Sequence, residues 1–267
     1  MTELTVGIIG GAGWLGSSIA RSMLNHSFLS PERLILSGRT RSPALADWPA
    51  VRIASSNQDL VDAAEVVLLS VRPEQFPSVQ ISAREKLVIS VMAAVPARTI
   101  ASRTGAHRII RALPNAAVEI ERSYTPWFAG PNLASSDKAI VQSIFETCGS
   151  AEEVPRESDI DYFTGLTGSG PAFPALLAEA MLQHAIARGI SHDTARRAVN
   201  GVIVGASALI SQPNRSAGGI IEALMGYRGT TAAALQEMIS CGFVKAVHAG
   251  LTSAEKAIEA MIKRSGV

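Results

Sequence analysis

The sequence predicts an α/β domain on a mostly parallel sheet, followed by an all-α domain. Three observations carry this. Short apolar runs alternate with helical patterns in the first part of the chain. A glycine-rich turn, Gly11-Ala12-Gly13-Trp14-Leu15-Gly16, directly follows the first run. After about residue 156 the strand signals stop and only long helical patterns remain. Alternation of this kind is the mark of βαβ units, and a helical remainder marks a second layer system.

The elements follow in order. Leu4 to Gly10 reads as a Val/Ile strand, and the helix after the glycine turn is set by Leu15, Ile19 and Met23. Leu34 to Ser37 reads as a second strand and Val51 to Ala54 as a weak third. Val66 to Val71 and Leu87 to Val91 are continuous apolar runs, as parallel strands covered on both faces require. Arg108 to Ala112 is a sixth, and Thr125 to Ala129 is expected at a sheet edge. Ser135 to Thr147 reads as a helix, with a short strand near Glu152 to Val154. Five helical patterns then run from Gly170 to Arg188, Ser191 to Ser211, Ala217 to Leu224, Thr230 to Cys241 and Phe243 to Lys263, with breaks at Gly189, Pro213 and Gly242. The expected domains are 1–156 and 157–267.

The 267 residues suit two domains, and 47% hydrophobic against 18% charged residues gives ample core. A formal net charge of +1 gives no electrostatic reason to expect nucleic acid or an anionic membrane as partner. No window offers the roughly 20 apolar residues of a membrane span, and Met1 leads almost directly into a strand, so a cytoplasmic protein is expected. Cys148 and Cys241 have no metal-ligand spacing and read as reduced, buried thiols; no metal is expected. The helices over 170–211 are apolar nearly all round, which calls for burial. A domain of about 110 residues has limited interior, so a subunit interface is expected there, the alternative being a compact monomeric bundle.

The glycine turn carries the first functional reading. Gly11 permits the tight turn, Gly13 lets backbone approach a pyrophosphate, and Gly16 lets helix and strand pack closely. The helix start then offers unpaired N–H groups to phosphates. This is the dinucleotide fingerprint of a Rossmann domain. About 20 residues on, where NAD-binding folds place an acid for the ribose 2′-hydroxyl, the chain reads Ser37-Gly38-Arg39-Thr40-Arg41. Two arginines and two hydroxyls suit a 2′-phosphate, so NADP(H) is expected over NAD(H). Ligands of open α/β sheets sit beyond the carboxyl ends of the strands. That puts Val71-Arg72-Pro73, Met92-Ala93-Ala94 and Leu113-Pro114-Asn115 beside the cofactor.

These segments, with Thr167-Gly168-Ser169-Gly170-Pro171-Ala172-Phe173 and Gly229-Thr230-Thr231 further on, occur in the order and spacing of a known family. The chain resembles pyrroline-5-carboxylate reductases over nearly its whole length. The resemblance implies a Rossmann domain, a helical domain that interlocks between subunits as a homodimer or higher oligomer, and NADPH-dependent reduction of a cyclic imine carboxylate. It implies cofactor contacts at the glycine turn (Gly11, Gly13, Trp14, Leu15, Gly16), Ser37, Arg39, Thr40, Asn57, Val71, Arg72, Pro73, Ala93, Ala94 and Asn115. For the substrate it implies Gly229, Thr230 and Thr231, with the Thr231 hydroxyl near the imine nitrogen; to these the residues themselves add Asn115, beyond the sixth strand, and Arg228, beside the Gly-Thr-Thr segment. Independently, Gly229-Thr230-Thr231 precedes a helical pattern and so marks an anion site at a helix start; a plain N-cap threonine is the other reading. His184, His192 and His248 lie in helical patterns and are not expected to be catalytic.

The chain departs from typical members in places. Members read Ser-Pro-Gly-Gly-Thr-Thr at the substrate loop; here it is Gly226-Tyr227-Arg228-Gly229-Thr230-Thr231. Arg228 stands as a replacement carboxylate ligand. The segment 116–122 and Trp14 also differ from the usual residues. A related imine reductase with another substrate, another dehydrogenase on the same two-domain plan, and a catalytically silent NADPH-binding protein remain alternatives.

Overall fold

The Val/Ile-rich segments of the first part form strands buried on both faces, and their side chains divide between two cores. The protein is described by a computed structural model over residues 3–38 and 43–264. The strands are β1 (Val6–Ile9), β2 (Leu34–Ser37), β3 (Arg52–Ile53), β4 (Val66–Leu69), β5 (Leu87–Ser90), β6 (Arg108–Ala112), β7 (Ser123–Ala129) and β8 (Gly149–Glu153). They make one sheet in the order β3-β2-β1-β4-β5-β6-β7-β8. The first six run parallel, β7 is antiparallel to β6, and β8 is parallel to β7. The order 3-2-1-4-5-6 is that of a dinucleotide-binding sheet, with its switch point between β1 and β4.

Period-two alternation distributes the core. Val6 and Ile8 of β1 pack with Ile19 and Met23 of α1 (Trp14–Asn25), and with Ile144 and Phe145 of α4 (Ser135–Glu146). Ile9, Val67 and Leu69 pack on the other face with Leu60 of α2 (Asn57–Ala63), Phe76 and Ile100 of α3 (Ala97–Thr104). Each such side chain contributes about 1.5–3 kcal/mol by burial. α5 (Glu157–Phe163) continues into a single π-turn, Thr164–Gly168.

Some expectations shift. β7 does not lie at the edge: β8 covers it and takes the edge itself. β8 also starts three residues before its expected start. Gly149 makes this possible, because at φ +143° a Cβ would lie 2.2 Å from the Ser123 carbonyl oxygen. Cys148 is buried as expected, but Cys241 is exposed. Burial pushes the Cys148 thiol up to about 11.

The described chain forms two compact units, residues 3–169 with 254–264, and residues 170–253. The second holds α6 (Ala172–Ala187), α7 (His192–Ile210), α8 (Ala217–Gly226) and α9 (Thr230–Ser240); α10 (Phe243–Arg264) contributes residues to both. α6 has no buried residue within the chain, and Leu176 on it is 73% exposed. Only Ala195 and Val199 are buried on α7. The compact monomeric bundle is therefore not what these helices build. Their apolar surface remains open, including a groove of about 490 Å³ between α6 and α7 lined by Ala175, Ala178, Leu182, Val199 and Ile203. No helix among the described residues is long and apolar enough to cross a membrane.

Candidate functional site

Two adjoining clefts open at the carboxyl ends of β1, β2 and β4. One, of about 630 Å³, is lined by Ile9, Gly10, Ser37, Gly38, Asn57 and Val71. The other, of about 650 Å³, is lined by Gly10, Gly13, Trp14, Leu15, Ser70 and Arg72. Gly10, Val71 and Gln75 border both. An extended two-ended molecule fits this outline better than a compact one.

The glycine turn is built differently in detail from the sequence expectation. The left-handed backbone falls on Gly10, at φ +82°, not on Gly11. Gly11 serves space instead: a Cβ there would lie 2.6 Å from Leu36 Cδ2. Gly16 meets the expected requirement, since a Cβ would lie 2.7 Å from the Gly10 carbonyl oxygen. Gly13 is the N-cap of α1 and contributes no side-chain cap, so the first amides of the helix remain available. Ser70 Oγ, at the same cleft, is buried without a hydrogen-bond partner among the described residues. Open helix amides, an orphaned hydroxyl and a turn with glycine at 10, 11 and 13 together fit a dinucleotide pyrophosphate.

The other expected cofactor residues fall as follows. Ser37 ends β2 and Asn57 opens α2, whose N-cap Ser56 accepts from the Asp59 N–H at 3.1 Å. Arg72 is exposed at the cleft, and Pro73 opens the 3-10 turn Pro73–Ser78. Ala93 packs against Leu113, Val154 and Ile160. Ala94 is buried at φ +57°, a left-handed conformation that a non-glycine residue holds only where its surroundings impose it. Asn115 caps the 3-10 turn Ala116–Ile120, accepting from the Ala117 N–H at 3.0 Å through Oδ1. Arg39 and Thr40, with Arg41, lie outside the described residues.

Two of the departures meet. The Trp14 indole N–H donates to Glu119 Oε1, so the unusual residue of the glycine turn holds the unusual 116–122 segment. Arg21 donates to the Glu119 carbonyl at 2.7 Å, and Asn25 donates to Glu121 at 2.7 Å. His26 pairs with Glu121 at 2.9 Å. The Asn25 hydrogen bond, helped by His26, holds the Glu121 carboxyl below the ordinary carboxylate range.

In the helical unit, Gly229 is the N-cap of α9 and gives no side-chain cap. Thr230 and Thr231 are the first two helical residues, not caps, and both are exposed. Neither hydroxyl has a hydrogen-bond partner among the described residues. Arg228 sits at φ +48°, in the left-handed region where glycine is at ease. Tyr227 beside it is 83% exposed.

Arg111 lies inside the strand expected over 108–112 and has no functional role in the sequence reading. Its side chain is fully enclosed. Nη1 donates to Glu157 at 3.0 Å and Nη2 to Asp161 at 2.9 Å, both on α5. A charged residue directly after the buried Ile109-Ile110 pair of β6 was the available signal.

Comparisons with known proteins converge. Residues 157–261 match the family described as pyrroline-5-carboxylate reductase dimerisation, and residues 5–94 match NADP oxidoreductase, coenzyme F420-dependent. The pyrroline-5-carboxylate reductase of Thermus thermophilus is 36% identical over 192 residues, 70% of this chain and 72% of that protein. That of Synechocystis sp. is 28% identical over 268 residues, 98% of this chain and all of its own. In structure, the NADP-bound pyrroline carboxylate reductase of Plasmodium falciparum superposes with a TM-score of 0.87 at 23% identity, covering 98% of this chain and 99% of that one.

Proposed function

Because the chain belongs to the pyrroline-5-carboxylate reductase family, we propose that it reduces a cyclic imine carboxylate to the cyclic amino acid with NADPH. The substrate class is that of pyrroline-5-carboxylate, and the chemistry is that of proline biosynthesis. The observation that carries the reading is the start of α9. Gly229, Thr230 and Thr231 present uncapped amides at the positive end of an 11-residue helix, with an unengaged hydroxyl alongside.

The cofactor supplies the hydride when bound. The chain's own residues have three tasks. The α1 amides and the Gly10–Gly16 turn hold the pyrophosphate, while Ser37, Arg39, Thr40 and Asn57 hold the phosphorylated ribose. Val71, Arg72, Pro73, Ala93, Ala94 and Asn115 form the walls at the nicotinamide end. The amides of 229–231 and the Arg228 guanidinium take the substrate carboxylate. Thr231 would hydrogen-bond the protonated imine nitrogen and orient the C=N group for reduction, the carbon gaining the hydride and the nitrogen staying in the ring as a secondary amine. Rate enhancement in this scheme is chiefly positional.

Residues 1–156 are read as the NADP-binding domain and 157–267 as the dimerisation and substrate domain. The dimerisation match indicates self-association. The groove between α6 and α7 is the surface assigned to a second copy in a homodimer or higher oligomer, and the protein is placed in the cytoplasm. A second reading, an imino acid other than pyrroline-5-carboxylate, is favoured by one feature: Arg228 and Tyr227 replace small residues at the substrate loop.

The test is turnover. Purified protein with NADPH and pyrroline-5-carboxylate, followed at the nicotinamide absorbance band, should consume cofactor only when the imine is present. No consumption with any member of a cyclic-imine panel would leave a silent NADPH-binding protein.

A further inference from the structure

The orphaned atom near the carboxyl end of β6 calls for explanation. Arg111 is 1% exposed, and its Nε has no hydrogen-bond partner among the described residues. A buried charge that is not fully satisfied is a costly way to fill space, and an apolar residue fills it more cheaply. The guanidinium is therefore explained by what it holds. Its two terminal nitrogens grip Glu157 and Asp161, the first and fifth residues of α5.

Glu157 faces two ways. The same oxygen, Oε1, that accepts from Arg111 also accepts from the Ala97 backbone N–H at 2.7 Å. Ala97 opens α3, whose N-cap Pro96 has no side-chain cap to offer. Three residues before it is Ala94, held at φ +57°. A strained non-glycine backbone persists only when its flanks are fixed. On one side the 91–96 turn is fixed by β5, where the Val91 N–H bonds the Leu69 carbonyl at 3.1 Å. On the other it is fixed by Glu157.

We infer that Arg111 and Glu157 are positioning residues that set the Ala93-Ala94 turn against the nicotinamide. Glu157 is also where the segment matched by the dimerisation family begins. This rests on the reading that Ala93 and Ala94 face the nicotinamide. Asp161 shares the guanidinium but does not touch Ala97, which makes it an internal control.

The experiment compares two ligands by titration calorimetry: NADPH, and 2′-phospho-ADP-ribose, which lacks the nicotinamide. For E157A, NADPH affinity should fall about 10-fold, the loss expected for a charge-assisted contact, while 2′-phospho-ADP-ribose affinity stays within about twofold. D161A should leave both affinities near wild type even where its melting temperature falls as far as that of E157A. E157Q, which keeps the volume and loses the charge facing Arg111, is the second variant and should show the same split. Equal weakening of both ligands, or no weakening of either, overturns the inference. Binding is read without turnover, so a wrong assignment of the imine substrate leaves this result untouched.

Discussion

At the scale of single residues, two side chains separate binding from chemistry. Thr231 has an exposed hydroxyl with no partner in the described chain, so its removal disturbs nothing structural. Thr231→Ala is expected to lower kcat about 10- to 100-fold while NADPH affinity and melting temperature are unchanged, as loss of one hydrogen bond to a charged group implies. Near-normal turnover would remove Thr231 from the mechanism. Arg228 should behave in the opposite sense. It is held at φ +48°, where glycine is at ease, so Arg228→Gly relieves strain of about 1 kcal/mol and should hold or raise the melting temperature. The same change should raise KM for an imine carboxylate about 10-fold or more, since it deletes the guanidinium. A variant both less stable and kinetically normal would contradict the role given to Arg228. The threonines were legible through the family resemblance, since Gly-Thr-Thr before a helical pattern by itself fits an anion site or a plain N-cap equally. The left-handed backbone at Arg228 was not, because arginine carries no signal of positive φ.

At the scale of elements, the strands were legible and the short crossovers were not. β2, β4 and β5 fall on or within their expected residues because a strand covered on both faces is a nearly continuous apolar run. α2 and α3, of seven and eight residues, are too short to show a helical period and were not anticipated. The glycine turn was recognised as a unit, yet its left-handed residue is Gly10, which precedes the motif. Spacing identifies which glycines are needed, while the path of the backbone decides why. The junction of this turn with α1 gives a prediction. At Gly16 a Cβ would stand 2.7 Å from a backbone oxygen that cannot rotate away. Gly16→Ala should therefore cost about 1–3 kcal/mol of stability in chemical denaturation and weaken NADPH binding at once, through displacement of α1. Unchanged stability with unchanged binding would show that the turn tolerates a methyl group, against the packing described. The contact of Trp14 with Glu119 is likewise an element-level feature. It straps the 116–122 segment to α1, and only tertiary structure could join residues 105 positions apart.

At the scale of the molecule, the helical region does not close on itself. α6 buries none of its residues in one chain, and the apolar patch it presents with α7 asks for another surface. Leu176→Glu, placing a charge where a 73% exposed leucine stands, should convert an oligomer to monomer in light scattering and lower the melting temperature. An unchanged oligomer would move the interface elsewhere. The need for a partner was legible in the sequence as helices apolar all round, whereas its geometry was not, because one chain's sequence does not encode where the second copy sits. The proposed reduction depends first on a substrate carboxylate held by the amides that open α9. The most direct measurement is kcat/KM for pyrroline-5-carboxylate against 1-pyrroline, the same ring without its carboxylate, at saturating NADPH. The expected ratio is about 100-fold or more in favour of the carboxylate, the discrimination a site built to bind a polar group exerts on an analogue that lacks it. Equal turnover of the two rings would contradict it.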